Sequence, residues 1–360
     1  MNKFNDICHQ MSALDQSHTF KASSVLVTGA AGFIGSNYVQ HFVPGSSAHW
    51  VVLDKLTYAG SLANLKQLEE LPNYTFVQGD ICDTELLKDL FAQYRFDTVV
   101  HFAAESHVDN SITGPRAFVQ TNLVGTFELL HAAYELWMEG PKALKTEFNH
   151  ARFLHVSTDE VYGTLGETGL FREDTAYAPN SPYSASKAGS DFLARSYFHT
   201  YGFPVVTTNC SNNYGPNQHR EKLIPTIIRK AISGQDIPIY GDGQNIRDWL
   251  YVLDHCKGIH LALTTGALGE TYNIGGRNER NNLYIAECIC EALDGLMPKS
   301  TGSYKQQITF VKDRPGHDFR YAIDADKIEQ NLGWTAQETF ETGIVKTIEW
   351  YLNHPDRLAE

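Results

Sequence analysis

Ser24-Val25-Leu26-Val27-Thr28-Gly29-Ala30-Ala31-Gly32-Phe33-Ile34-Gly35 is the stretch whose reading decides the fold. Residues 24–28 read as a short β-strand, and the pattern after the glycines reads as a helix to about Val43. Glycine allows a tight turn and lets backbone N–H groups approach a pyrophosphate, which the helix N-terminus then stabilises. The spacing here is GxxGxxG, and such a cluster is in itself also an ordinary turn. The residues downstream of the turn decide between the two. Residues 50–54 read as the next strand, and Asp54 closes it 19 residues after Gly35. A carboxylate at that point hydrogen-bonds an adenosine ribose and repels a 2′-phosphate, so NAD is expected over NADP, with Lys55 tempering the repulsion. Residues 74–77 read as a third strand, after which Asp80 and Ile81 are expected near the adenine.

Working outward, residues 97–101 and 152–156 are further short strands with helical stretches between them. Strands apolar throughout are buried on both faces, as in a parallel sheet covered by helices. The expected fold is α/β: a Rossmann-type doubly wound parallel sheet with a smaller C-terminal substrate-binding lobe. After Pro204 the regularity fades into Pro-, Gly- and Asn-rich stretches such as Tyr214-Gly215-Pro216-Asn217. The expected division is a polar, disordered extension over 1–23, an NAD-binding unit over 24–205 and a mainly substrate-binding lobe over 206–360. Segments near 243–265 are expected to return to the first unit.

A net charge of −13 argues against a nucleic-acid partner, because phosphate contact requires a basic face. No apolar run reaches the roughly 18 residues of a membrane span, and the N-terminus lacks a signal-peptide pattern. The six cysteines are scattered and match no zinc spacing, so reduced thiols in a cytoplasmic protein and no metal site are expected.

Tyr183-Ser184-Ala185-Ser186-Lys187 places a tyrosine and a lysine at i and i+4 on one helix face. A phenol of pKa about 10 is a weak base at neutral pH. A nearby ammonium and an oxidised nicotinamide favour its phenolate, which suits proton removal from an alcohol as hydride leaves the same carbon. Ser157-Thr158-Asp159-Glu160 follows a strand end at the mouth of the expected crevice. These residue types cap helices. Two adjacent carboxyls also divide labour as acid and base, as a dehydration requires.

These motifs resemble the extended short-chain dehydrogenase/reductase superfamily, and within it the dTDP-glucose 4,6-dehydratase family. The resemblance runs from Ser24 to about Leu352 through 28–35, 54–60, 103–109, 157–163, 183–187, 209–216, 221–225, 247–252 and 313–318. It implies three steps on one bound sugar, with NAD regenerated in each cycle. Tyr183, supported by Lys187, would take the 4-hydroxyl proton as hydride leaves C4, and Thr158 would bind the C4 oxygen. Glu160 would remove the C5 proton, Asp159 would protonate the departing C6 hydroxyl, and hydride would return to C6.

The same resemblance implies that Gly29, Gly32, Phe33, Ile34, Gly35, Asp54, Lys55, Leu56, Thr57, Asp80, Ile81, Phe102, Ala103, Ala104, Ser106, Thr121 and Asn213 hold the cofactor with Tyr183 and Lys187. Ser106, Thr158, Asn212, Lys222, Leu223, Ile224, Pro225, Pro238, Ile239, Tyr240, Arg247, Asn282, Asp313, Arg314 and His317 would hold dTDP-glucose. Lys222, Arg247 and Arg314 are the candidate diphosphate clamp. It also implies a homodimer through helices near 114–137 and 183–201. A sugar-nucleotide 4-epimerase shares the fold, NAD and the Tyr/Lys pair, but has no use for an acid and a base acting at C5 and C6. A non-catalytic NAD-binding module would lack part of the catalytic set, which is complete here.

Overall fold

Val25 and Val27 point into one apolar cluster and Leu26 into another, and Trp50 and Val52 are likewise opposed to Val51 and Leu53. Strands of this kind are stable only when both faces are covered. In the computed structural model, which describes residues 21–313 and 319–358, they form the middle of a seven-stranded sheet. Its strands are β1 Ser24–Thr28, β2 His49–Asp54, β3 Tyr74–Gln78, β4 Thr98–His101, β5 Arg152–Thr158, β6 Val205–Cys210 and β7 Thr271–Ile274. Their spatial order is β7-β6-β5-β4-β1-β2-β3, and every pairing is parallel.

The longer helices are α1 Phe33–Phe42, α2 Thr84–Tyr94, α3 Thr126–Trp137, α4 Pro182–Tyr201, α5 Leu223–Ile232, α6 Val252–Thr265, α7 Asn282–Leu296 and α8 Phe340–Asn353. Tyr38 and Val39 of α1 and Ile259 and Leu263 of α6 cover one face of the sheet. Leu90 of α2, Leu129 of α3 and Ala194 of α4 cover the other. Strand order reverses between β1 and β4, so a crevice opens at the carboxyl ends of these strands.

The expected boundary at 205 does not coincide with the end of the sheet, because β6 and β7 follow it. The returning segment is α6 with β7, whereas Ile246–Tyr251 pairs with Asn212–Tyr214, Glu279–Asn281 and Arg320–Tyr321 in the second lobe. β7 is hard to read because it is four residues long and carries a fully buried asparagine. Asn273 belongs there because its side chain is satisfied: Oδ1 accepts from the Tyr162 hydroxyl at 2.9 Å, and Nδ2 donates to Phe171 O at 3.1 Å.

The second lobe has its own core of Ile224, Ile227, Trp249, Ile285, Ile289, Phe340 and Ile344. Residues 1–20 of the expected N-terminal extension lie outside the described residues. Ser23 donates its N–H to Asp97 Oδ2 at 2.8 Å, which ties the start of β1 to β4. Among the described residues no helix is long and apolar enough to cross a membrane, and no group of three or more His, Cys, Asp or Glu is arranged to hold a metal.

Candidate active site

A cavity of about 310 Å³ occupies the crevice, walled by the loops after β1, β2, β4 and β5, by α4 and by residues 210–222. At its floor Gly29 takes φ +74°, and a Cβ there would lie 2.5 Å from Ala103 N. Gly29 thus lets the loops after β1 and β4 close together, while a Cβ on Gly35 would meet Gly29 O at 2.7 Å, so Gly35 lets α1 pack onto the turn itself. Gly32, the N-cap of α1, meets only Gly29 O at 3.3 Å. Asp54 accepts from Ala31 N at 2.9 Å and Leu56 N at 2.8 Å, so it also braces the glycine turn, while burial raises its pKa. Lys55 pairs with Asp80 at 2.6 Å, so its charge is engaged there and not by Asp54.

The chemical end rests on β5 and α4. Ser181 and Ser184 form a capping box, with Pro182 in the first turn, and set Tyr183 and Lys187 facing the strand end. Both are buried. Lys187 Nζ donates to Val156 O at 2.8 Å, and burial lowers its pKa. The Tyr183 and Thr158 hydroxyls are hydrogen-bonded, yet burial, and then the charge of Glu160, holds the phenol well above its ordinary pKa. Lys187 stands one helical turn from Tyr183, with its ammonium anchored on the strand carbonyl.

Thr158 Oγ1 accepts from Glu160 N at 3.3 Å and starts a 3₁₀ turn over Asp159–Tyr162, so the cap and the carboxyl pair coincide. Glu160 lines the cavity. Asp159 lies behind that wall, 2 % exposed, with Oδ2 lacking a partner. Burial, then Glu160, then Asp248 push its carboxyl well up, against the opposing charge of Arg247.

Gly29, Gly32, Phe33, Ile34, Gly35, Asp54, Lys55, Thr57, Asp80, Ile81, Phe102, Ala103, Ala104, Ser106, Thr121, Asn212, Asn213 and Lys222 line the cavity with Thr158, Glu160, Tyr183 and Lys187. Leu56 does not; it takes φ 56° and packs on the sheet's core. Ile224 and Ile239 are spent on the second lobe's core, with Leu223 packed against it and Pro225 buried. Pro238, Tyr240, Asn282 and Asp313 also lie off this cavity. Arg247 is 8 % exposed, donates to Ile246 O at 2.7 Å and lies 4.5 Å over the Tyr321 ring. Arg314 and His317 lie outside the described residues.

The walls also include Tyr58, Glu105, Ser157, Cys210 and Ser211, which lie within the recognised motifs but carry no expected role, and Gln218 and His219, which lie in none. Glu105 adjoins Ser106, and its backbone is clamped by Asn122, which accepts from Glu105 N at 2.8 Å and donates to Glu105 O at 3.0 Å. Tyr58 meets the His219 ring edge-on at 5.5 Å across a long sequence separation, which leaves no local signal.

A dinucleotide turn facing a tyrosine–lysine pair across one crevice defines an enzyme of the short-chain dehydrogenase/reductase class. The profile of the GDP-mannose 4,6-dehydratase family matches residues 26–347. A dTDP-glucose 4,6-dehydratase of Salmonella typhimurium is 54% identical over 337 residues, covering 91% of this chain and 92% of that protein. The crystal structure of the Streptomyces venezuelae dTDP-glucose 4,6-dehydratase, solved with NAD bound, is 44% identical. It superposes with a TM-score of 0.83 over 92% of this chain and 98% of that one. The Thermus thermophilus UDP-glucose 4-epimerase, in complex with NAD, shares 27% identity at a TM-score of 0.78, covering 91% of this chain and 99% of that one. The chain belongs to the dTDP-glucose 4,6-dehydratase family.

Proposed function

We propose that the chain converts dTDP-glucose to dTDP-4-keto-6-deoxy-glucose as an NAD-dependent hydro-lyase. The observation that carries this reading is the contrast between adjacent carboxyls: Asp159 is sealed and held toward its protonated form, while Glu160 opens on the cavity. An acid and a base side by side are what removal of water across C5–C6 requires. A 4-epimerase leaves such a pair without work.

The residues fit NAD. The turn at Gly29–Gly32 leaves the N-terminus of α1 open to the cavity, and Asp54 stands at the end of β2 as the ribose acceptor. When bound, NAD supplies the hydride acceptor for C4 and then the donor for C6. Tyr183 removes the 4-hydroxyl proton while Thr158, its hydrogen-bond partner, steadies the same oxygen. Burial opposes the phenolate, so ionisation of Tyr183 depends on positive charge from the oxidised nicotinamide and from Lys187. Glu160 takes the C5 proton made acidic by the new ketone. Asp159 is the proton source for the 6-hydroxyl, which leaves as water; because it lies behind the cavity wall, this role requires the turn over Asp159–Tyr162 to open toward the sugar when it binds. Ser106, Asn212 and Lys222 border the sugar nucleotide from the cavity wall.

Purified protein incubated with dTDP-glucose is expected to yield the 4-keto-6-deoxy product, and UDP-glucose is expected to react far more slowly. A 4-epimer formed without any dehydrated product would overturn the reading. The reading also includes a homodimer through the helices at 114–137 and 183–201, supported by exposed Val119, Phe127 and Phe192 on that surface. A cytoplasmic setting is supported by the free thiols of Cys82, Cys210, Cys256, Cys288 and Cys290. An NAD-binding unit and a substrate lobe, meeting at the cavity, complete it.

A further inference from the structure

Tyr183 and Lys187 stand one helical turn apart on α4, and the next residue of that face is Asp191. Asp191 is 4 % exposed and reaches the same strand end as the lysine. Its Oδ1 accepts from His155 Nε2 at 2.9 Å, and its Oδ2 accepts from Ser157 Oγ at 2.8 Å and from the Tyr177 hydroxyl at 3.0 Å. Lys187 bonds Val156 O, so two side chains of α4 grip three successive residues of β5 immediately before Thr158.

We propose that Asp191 is a positioning residue for the reaction: it is the buried counter-charge of the Lys187 ammonium and the clamp that holds the end of β5 against α4. The proposal rests on the reading of Lys187 as support for Tyr183.

A lysine ammonium inside a protein is unstable without a compensating anion. Burial drives Lys187 toward its neutral form, and Asp191 is the carboxylate that acts against this most strongly. Three hydrogen-bond donors surround the Asp191 carboxyl. His155 on β5 is fully buried and held below its ordinary pKa by burial and by Lys187, so it meets Asp191 as a neutral donor. Its Nε2 faces the accepting Asp191 oxygen, which assigns the ring proton to Nε2. Tyr177, from the loop preceding α4, is pushed far up by burial and by Asp191 itself and stays a phenol donor. Asn209 on β6 donates to the Tyr177 hydroxyl at 3.2 Å and to the Tyr162 hydroxyl at 2.9 Å, joining the next strand to the same network. Each of the three donors to Asp191 comes from outside its own helix. The carboxylate therefore fixes α4 relative to β5 and the 177 loop, and so fixes the height of Lys187 against the strand end.

The test uses the full-length holoenzyme and its Asp191→Asn and Asp191→Glu variants. Formation of bound NADH in single turnover with dTDP-glucose is followed against pH, alongside KM and melting temperature. Loss of the Asp191 charge lowers the Lys187 pKa, so the high-pH limb is expected to move acidward by about one unit in Asp191→Asn. The rate at neutral pH is expected to fall about tenfold or more, with KM little changed. Asp191→Glu, which keeps the charge, is expected to keep the wild-type limb. A lower melting temperature with the limb unmoved in Asp191→Asn overturns the proposal, because a purely structural carboxylate would do that. If Asp191→Asn yields no folded protein, Asp191→Glu carries the test, and an acidward limb shift of a full unit in that variant overturns it. Lys187→Met run in parallel separates the two readings: near-normal NADH formation there removes the role of the lysine itself.

Discussion

Asp159 and Glu160 are neighbours in the chain, and their surroundings divide them. One is enclosed by Glu160, Asp248 and Arg247, and the other faces the cavity. Asp159→Asn and Glu160→Gln keep side-chain size and remove proton transfer. Each is expected to form bound NADH in single turnover, visible by absorbance, while product formation falls about 10²–10⁴-fold. Glu160→Gln should in addition lose exchange of solvent deuterium into C5. Dehydration at the wild-type rate in both would reduce the pair to a helix cap. The raised pKa of Asp159 has a consequence for stability as well. The native state holds this proton where the unfolded chain has already released it. The native protein therefore loses stability as pH rises from the unfolded pKa, about 4, toward the folded value. Asp159→Asn is free of that loss, so its melting temperature is expected to exceed wild type by about 2 °C or more at pH 7. The gap should shrink as pH falls toward 4. Melting curves across pH 4–8 check this, and a gap independent of pH would count against it.

At the scale of the element, the three glycines before and within α1 do different work. A Cβ on Gly35 would sit 2.7 Å from Ala30 Cα, backbone that cannot yield. Gly35→Ala is expected to destabilise the fold by about 1–3 kcal/mol. Gly32 meets only Gly29 O at 3.3 Å and otherwise borders the cavity. Gly32→Ala should leave the melting temperature of the NAD-free protein within about 2 °C of wild type. It should also reduce the NAD released on acid denaturation to well below the one per chain expected of wild type. Equal NAD retention in Gly32→Ala and wild type would remove the pyrophosphate from this turn. The element scale is also where local reading succeeded best. β1 to β5 and α1 carry dense apolar patterns that need no distant partner to be recognised. β7 failed that test, since Asn273 is tolerable in a buried strand only because Tyr162 and Phe171 complete its hydrogen bonds.

For the whole molecule, Phe127 on α3 and Phe192 on α4 are exposed apolar rings on the surface proposed for a two-fold contact. If the proposed homodimer forms there, Phe192→Glu is expected to shift its mass in light scattering to that of a monomer while leaving the sheet's core intact. An unchanged mass would move the interface elsewhere. The two lobes meet along the loops that carry Tyr58, Ser106, His219 and Lys222, where Lys222 Nζ reaches Ser106 O at 3.4 Å. The cavity is thus completed only when residues from both lobes are brought together.

By itself the sequence determined the parallel sheet, the dinucleotide turn, Asp54, the Tyr183–Lys187 pair and the Thr158–Glu160 triplet. Each of these is a local pattern: a strand, a turn or a helical spacing that chemistry constrains within a few residues. Only the tertiary structure decided that Asp159 lies behind the wall, that Ile224 and Ile239 belong to a core, and that Glu105 and His219 face the cavity. It also decided that Asp191 joins the helix of Tyr183 and Lys187 to the strand. The physical reason is that burial, and the charges and donors around a buried group, are set by residues far apart in the chain, whose meeting no local pattern records.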